Sequence, residues 1–318
     1  MKIVILDGFT SNPGDLSWDK ITKLGDCAIY DRTSPSDIVE RAKDAEIVLT
    51  CKAILDEEVI LSLPKLKCIG VLATGYNVVD IECAKHQDII VTNVPNYTGL
   101  SGAQMVFALL LELTNRVGDH SASVFKNKWS KASDFCFWDF PLIELNGLTL
   151  GIVGFGGIGK AVSRIAIAFG MKVIISTRTI PESYPEGIEF CDLDALFQNS
   201  DVITLHCPLT PGTKEMINAE RINQMKTTSY LINISRGQLI HEKDLTEALN
   251  SDRIAGAALD VLAQEPPSSD CPLFKAKNCY ITPHIAWATL ASRERLISIA
   301  ADNIEGFIEG KIVNAVNV

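Results

Sequence analysis

The chain has 318 residues, enough for two domains with separate cores; 47% are apolar and 21% charged, with no low-complexity tract or internal repeat, so it reads as globular. A formal charge of −10 and a pI near 5.1 argue against sequence-independent nucleic-acid binding, which needs clustered Lys and Arg, and give no support for a membrane-surface role. Nine cysteines, an odd number without a C-x-x-C, exclude a disulfide framework or zinc site; they predict reduced, buried thiols and no bound metal.

The N-terminal MKIVILDG meets Asp7 too soon for a secretion signal. The longest apolar patch, near Met105–Leu113, carries Glu112 and is too short for a membrane span, so a cytoplasmic chain is expected. Apolar strands then alternate with amphipathic helices, the pattern of parallel α/β sheets. Over residues 1–100, strands are predicted at Ile3–Leu6, Ala28–Tyr30, Ile47–Cys51, Cys68–Leu72 and Ile89–Thr92. A helix is predicted over Pro35–Lys43, with Ser34 as N-cap and Pro35 at the first helical position. Five strands suit a small flavodoxin-like domain.

A long apolar helix from Ser101 to about Val117 is placed to bridge two domains. Six further strands follow, at Leu150–Gly154, Val173–Ser176, Val202–His206, Tyr230–Ile234, Ala255–Asp260 and Tyr280–Thr282, the full count of a doubly wound dinucleotide-binding domain. A last helix, Thr289–Glu309, is expected to return to the first domain. That makes two crossings, a hinge, and a cleft holding substrate against cofactor.

The stretch TLGIVGFGGIGK carries the most information. Gly154, Gly156 and Gly159 form a G-x-G-x-x-G between strand and helix, with Gly157 and Ile158 inside it. The first glycine makes the turn, the second lets backbone approach a pyrophosphate, and the third permits close helix–strand packing. Free N–H groups and the helix dipole supply the anion affinity. About 20 positions further on, an acid would bind a ribose 2′-OH, whereas Arg tolerates a 2′-phosphate. Here the strand ends Ser176-Thr177-Arg178 without an acid, which favours NADP over NAD; the plainer reading has Arg178 stacking on adenine from the surface.

Three residues follow later strands at their C-terminal ends, where open parallel sheets bind ligands: Arg236, Glu265 and His284. Hydride transfer to a 2-oxo acid needs a fixed positive charge on the carboxylate and carbonyl, a proton donor active near neutrality, and a carboxylate to orient that donor. Arg, His and Glu supply these in turn. Plainer readings make Arg236 a helix cap, Glu265 an exposed loop residue and His284 a core histidine. His206 and His241 remain alternative donors, and His86 and His120 read as surface residues.

The motifs GFGGIG, LHCPLTPGT, NISRGQLIHEKDL, ALDVLAQEPP and TPHIAW resemble the D-isomer-specific 2-hydroxyacid dehydrogenase family over nearly the whole chain. Within it, VLATGYNVVD, DFCFWDFPLIEL and PHIAWAT look most similar to the glycerate dehydrogenase (hydroxypyruvate reductase) branch. The resemblance implies two Rossmann-like domains separated by a cleft: a substrate domain from residues 1–100 and 288–318, and a dinucleotide-binding domain from 101–287. It implies that Arg236 binds substrate, Glu265 orients the histidine and His284 is the acid/base. Asp260 would lie near the nicotinamide carboxamide, and the Thr74 and Gly75 amides would receive the substrate carboxylate. Pro208, Thr213, Ile234, Gly157 and Ile158 fall at expected cofactor contacts. It further implies a homodimer in which the segment 118–146 docks on a partner subunit and Trp138 reaches the neighbour's site.

Departures from the family pattern are Ser235 where many relatives have alanine, Thr177 where many have an acid, and Gly102 at a helix start, expected to loosen the hinge. Trp287 and Trp138, read as walls of the substrate pocket, favour small 2-oxo acids such as hydroxypyruvate or glyoxylate, each with its D-2-hydroxy acid. The plainer reading of both is packing. A dinucleotide-sensing, co-repressor-like binding module has the same fold and is the alternative function. A formate or phosphite dehydrogenase is a third reading, which ATGYNVVD disfavours.

Overall fold

The computed structural model describes Met1–Val318. The chain divides into two compact units: Met1–Tyr97 with Trp287–Val318 (unit 1), and Thr98–Ala286 (unit 2). Trp287 thus falls in unit 1, not with residues 101–286.

Unit 1 is built on strands β1 (Lys2–Ile5), β2 (Asp26–Ile29), β3 (Ile47–Thr50), β4 (Cys68–Val71) and β5 (Ile90–Thr92). They form one parallel sheet in the order β2-β1-β3-β4-β5. The order reverses between β1 and β3, which makes their C-terminal ends the topological switch point. β3 and β4 are buried along their whole length, as apolar runs covered on both faces must be. On one face Ile3, Ile5, Ile47 and Leu49 pack with Leu296, Ile297, Ala300 and Ile304 of the helix Leu290–Ile308. Thr289 caps that helix, its Oγ1 accepting the Ser292 N–H at 3.3 Å. The free edge of β5 is covered by the chain's last residues: Val316 N–H donates to Val91 O (2.9 Å), and Val91 N–H to Asn317 Oδ1 (2.9 Å).

The expected Pro35–Lys43 helix is only partly formed. Pro35–Asp37 is a single 3₁₀ turn and the α-helix covers Ile38–Ala42. Ser34 makes no capping bond, because its hydroxyl lies 2.9 Å from that of Ser36 instead.

Unit 2 has seven parallel strands rather than six: β6 (Thr149–Val153), β7 (Lys172–Ser176), β8 (Ile188–Phe190), β9 (Val202–Leu205), β10 (Tyr230–Asn233), β11 (Gly256–Leu259) and β12 (Cys279–Ile281). Their order is β12-β11-β10-β9-β6-β7-β8, reversing between β6 and β9. The extra strand, β8, forms the edge beside β7. The long apolar helix runs Gly99–Asn115 and stops at Arg116, which adopts a left-handed φ of 49° before a second helix, Val117–Phe125. Gly102 does not open this helix. It is buried inside the first turns, where an added Cβ would sit 3.2 Å from Ile158 Cδ1 and 3.3 Å from Ile234 Cδ1, so glycine there serves close packing.

No helix is long and apolar enough to cross a membrane. All nine cysteines are free, but only Cys51, Cys68 and Cys271 are buried; the others are half-buried. Burial pushes the Cys68 thiol up to about 12.

Candidate active site

The glycine loop joins β6 to the helix Gly157–Ala168 at the switch point of unit 2. Gly154 has φ +94°, and a Cβ there would lie 2.8 Å from the His206 carbonyl at the end of β9. A Cβ on Gly159 would meet Gly154 O at 2.4 Å, where helix and strand touch. Gly156 is different: it holds the N-cap position with extended backbone, and a Cβ there would meet nothing within 4 Å. The open space lies before a helix N-terminus with no capping side chain, so the first-turn N–H groups face an anion's place. This fits a dinucleotide pyrophosphate. The Ile158 and Ile234 side chains pack on Gly102, which leaves their backbones for a cofactor.

Past the end of β7, Arg178 is exposed and Thr177 half-buried. Burial raises the Cys207 thiol, and the Arg178 charge works against that rise. Thr177 shares a groove with Ile180, Phe190 and Asp192. Asp192 caps the helix Leu193–Asn199, accepting the Ala195 N–H at 2.7 Å. In the β9 loop the Thr213 hydroxyl donates to Pro208 O (2.7 Å) and accepts the Thr210 N–H (2.8 Å), so it staples the loop.

Arg236, Glu265 and His284 lie past the ends of β10, β11 and β12. Asn233, fully buried at the end of β10, donates from its amide to Arg236 O (2.8 Å) and accepts the Ser235 N–H (3.0 Å), which fixes the turn that presents Arg236. The Ser235 hydroxyl ties the same turn to Leu205 O at 2.7 Å, a use for serine at that position. The Arg236 Nη1 donates to Ser235 O (2.8 Å). Next to it, a Cβ on Gly237 would be 1.9 Å from the Leu262 carbonyl carbon, so the arginine turn abuts the loop leading to Glu265. Glu265 Oε1 accepts the Leu262 N–H (3.1 Å) and Oε2 lies 2.6 Å from His284 Nδ1.

His284 is itself held in an unusual conformation. Its φ is +55°, the left-handed region that costs a non-glycine residue energy unless its surroundings impose it. Its N–H donates to Asp260 O (2.8 Å) and Thr282 O (2.9 Å). Asp260 is fully buried, and its carboxylate accepts from Thr282 Oγ1 (2.5 Å), Ile285 N–H (2.9 Å) and Ala286 N–H (2.8 Å). Asp260 therefore builds the turn that carries the histidine. The Nδ1 contact with Glu265 fixes the orientation of the ring, and the two side chains are about a third exposed (29% and 33%).

The alternative donors are otherwise engaged. Burial holds the His206 imidazole down at about 3; its Nε2 lies 2.9 Å from Thr204 Oγ1, so it is neutral near pH 7. His241 Nδ1 sits 2.8 Å from Asp244 at a helix start.

In unit 1, Thr74 and Gly75 lie past the end of β4. The Thr74 hydroxyl donates to Val94 O (2.9 Å) and its carbonyl accepts from Asn93 Nδ2 (2.8 Å), which ties the loop to the one after β5. Trp287 packs against the unit 1 core. Trp138 is 66% exposed, so core packing within this chain does not account for it. Sequence reasoning missed Asn233 and Thr282. The available signal was a polar residue where an apolar strand gives way to a ligand-facing loop.

Comparisons with known proteins agree with this geometry. The family profile described as D-isomer specific 2-hydroxyacid dehydrogenase, NAD binding domain, matches residues 107–286. A hydroxypyruvate reductase from Blautia hydrogenotrophica is 49% identical, with 100% of each chain covered. Among solved structures, an acyclic imino acid reductase in complex with NADPH and D-Arg superposes with a TM-score of 0.88 at 30% identity, covering 99% of this chain and 100% of its own. D-Lactate dehydrogenase from Aquifex aeolicus, complexed with NAD and lactic acid, gives 0.85 at 31% identity, covering 100% and 99%.

Proposed function

The chain belongs to the D-isomer specific 2-hydroxyacid dehydrogenases, and from that premise we propose that it reduces hydroxypyruvate or glyoxylate to the D-2-hydroxy acid. It is an oxidoreductase that moves hydride between a nicotinamide cofactor and a 2-oxo or 2-hydroxy acid. The observation that carries the site assignment is the 2.6 Å contact of His284 with Glu265 on adjoining strand-end loops.

Gly154, Gly156, Gly157 and Gly159 would hold the cofactor's pyrophosphate, and the reduced nicotinamide, when bound, supplies the hydride. His284 holds the proton at Nε2 and delivers it to the C2 oxygen. Glu265 fixes the ring and stabilises its cationic form. Arg236 orients the substrate carboxylate and polarises the carbonyl through its planar fork. From unit 1, the Thr74 and Gly75 amides are the proposed receivers of that carboxylate.

The finer cofactor reading is acceptance of NADPH, supported by the missing acid after β7 and by Arg178; Asp192, in the same groove as Thr177, weighs the other way. The finer assembly reading is a homodimer. Phe125 (85% exposed), Phe135 (90%) and Trp138 (66%) give the 118–146 segment an apolar face that this chain leaves uncovered. Nine unpaired thiols support a reducing, cytoplasmic setting.

The test is absorbance loss with NADH and NADPH separately, against hydroxypyruvate, glyoxylate, pyruvate and phenylpyruvate. Hydroxypyruvate and glyoxylate should be turned over fastest, and His284→Ala should lose about 100-fold or more in kcat. Faster reduction of phenylpyruvate, or near-normal turnover by His284→Ala, refutes the reading.

A further inference from the structure

In an open α/β sheet, ligands bind outside the carboxyl ends of the strands where the strand order reverses. In unit 1 that place lies between β1 and β3. It is occupied by a construction the proposed mechanism does not use. Asp7, one residue beyond Leu6 and 7% exposed, turns its carboxylate onto the loop after β3. Oδ1 accepts the Cys51 N–H at 2.7 Å, while Oδ2 accepts the Lys52 N–H and, at 2.9 Å, the Ala53 N–H. Thr50 Oγ1 closes the loop from the other side by donating to Ala53 O (2.8 Å). Burying a carboxylate is costly unless its lone pairs are taken up, and here backbone donors take them up. The result is a rigid loop with one charged side chain at its crest: Lys52, which is exposed.

The ammonium of Lys52 has no carboxylate of its own. Five other lysines of unit 1 are paired: Lys2 and Lys65 with Asp44, Lys43 with Glu40, Lys67 with Glu46 and Lys311 with Glu309. The Cys51 thiol, pushed up to about 11 by burial and by Asp7, is drawn the opposite way by Lys52.

The neighbouring loop completes the picture. β3 and β4 are paired, Thr50 opposite Val71, so the loops 51–55 and 72–79 leave the sheet side by side. They are tied at both ends, by Leu72 N–H to Thr50 O (2.8 Å) and by Leu55 N–H to Val78 O (2.8 Å). Between the ties lie Thr74 and Gly75, whose amides donate to nothing in the chain. A cation carried on a backbone-anchored loop next to a loop with free N–H groups is a site for a small carboxylate.

We propose that Lys52 is a substrate-binding residue, its ammonium holding the carboxylate of the small 2-oxo acid beside the Thr74–Gly75 amides, with Asp7 as the positioning residue beneath it. The inference rests on the 2-oxo acid reading above and adds to it a residue that reading does not use.

The test compares Lys52→Met, which keeps the stem and removes the charge, with Lys52→Arg. KM for hydroxypyruvate should rise about 10- to 100-fold in Lys52→Met, the size of a lost charge-assisted hydrogen bond. Lys52→Arg should recover most of that loss. NAD(P)H affinity by fluorescence and the apo melting temperature should stay at wild-type values in both, which a merely structural role would not allow. A KM within twofold of wild type in Lys52→Met overturns the proposal. Oxalate binding by calorimetry is measured on the same proteins without turnover. Weaker oxalate binding in Lys52→Met supports the site even if no 2-oxo acid is reduced, an outcome that would sink the activity reading alone. Equal oxalate affinity in the two proteins, or none in either, overturns the Lys52 site.

Discussion

The three motif glycines do different work, and alanine at each should separate them. At Gly156 a methyl group meets nothing within 4 Å and φ is −79°, a conformation alanine adopts freely. Two small effects oppose: about 0.4–1 kcal/mol gained from a less flexible unfolded chain, and about 0.5–1 kcal/mol lost because alanine is a poorer N-cap than glycine. The apo Tm should therefore move by no more than about 2 °C. The space the methyl fills is where a pyrophosphate oxygen would approach, so cofactor Kd should rise about 10- to 100-fold, the loss of one charge-assisted hydrogen bond. At Gly154 the methyl would lie 2.8 Å from the His206 backbone at φ +94°. About 1–2 kcal/mol of left-handed strain adds to about 1–3 kcal/mol of overpacking, a Tm loss of roughly 5–15 °C. Gly159→Ala, 2.4 Å from Gly154 O, should lose roughly 2–10 °C. Differential scanning fluorimetry of the apo proteins and nicotinamide fluorescence titrations read both quantities. If Gly156→Ala binds NAD(P)H like wild type, or melts as low as Gly154→Ala, the reasoning is wrong.

Four further outcomes are expected. Glu265→Gln keeps a hydrogen-bonding partner for His284 but removes its charge, so kcat should drop about 10- to 100-fold with cofactor Kd unchanged in steady-state and binding assays. Arg178→Ala should lower kcat/KM for NADPH about tenfold or more and leave NADH within twofold; an equal loss for both means the guanidinium only stacks. Because burial holds His206 at about 3, below its ordinary 6.5, the unfolded chain takes up a proton that the native chain refuses. Its contribution therefore erodes stability as pH falls from 6.5 toward 3, by at most about 1.4 kcal/mol per pH unit, and apo His206→Gln should show a shallower fall in urea titrations across that window. The double change Phe135→Ser and Trp138→Ser should shift the sedimentation profile toward monomer; an unchanged profile counts against the aromatic face as the interface.

Most strands were legible because they are apolar runs between turn signals, as in IVLT at β3 or YLIN at β10. β8 escaped because its three residues carry Glu189 at the centre and it lies at the sheet edge, paired only with β7. The Arg236, Glu265 and His284 positions were readable from motif and strand-end placement. Their supports were not: Asp260 and Thr282 act through a hydrogen bond between segments 22 residues apart, and Asn233 acts through side-chain bonds within its own turn that an apolar strand pattern does not announce. Ser34 shows the limit of local rules: a favoured capping residue forms no cap when a nearby hydroxyl takes its place. Asp7 shows it again, because nothing in MKIVILDG says that the carboxylate will serve a loop 44 residues away.

The interleaving of the two units sets an order on synthesis. Unit 2 has all of its residues once Ala286 has left the ribosome, whereas unit 1 still lacks Leu296, Ile297, Ala300 and Ile304, the side chains that cover Ile3, Ile5 and Leu49. Through that interval one face of the first sheet to be made stands bare to solvent, and so does the β5 border until Val316 and Asn317 arrive. Nascent chains stalled between those points are where chaperone capture and premature clumping should concentrate.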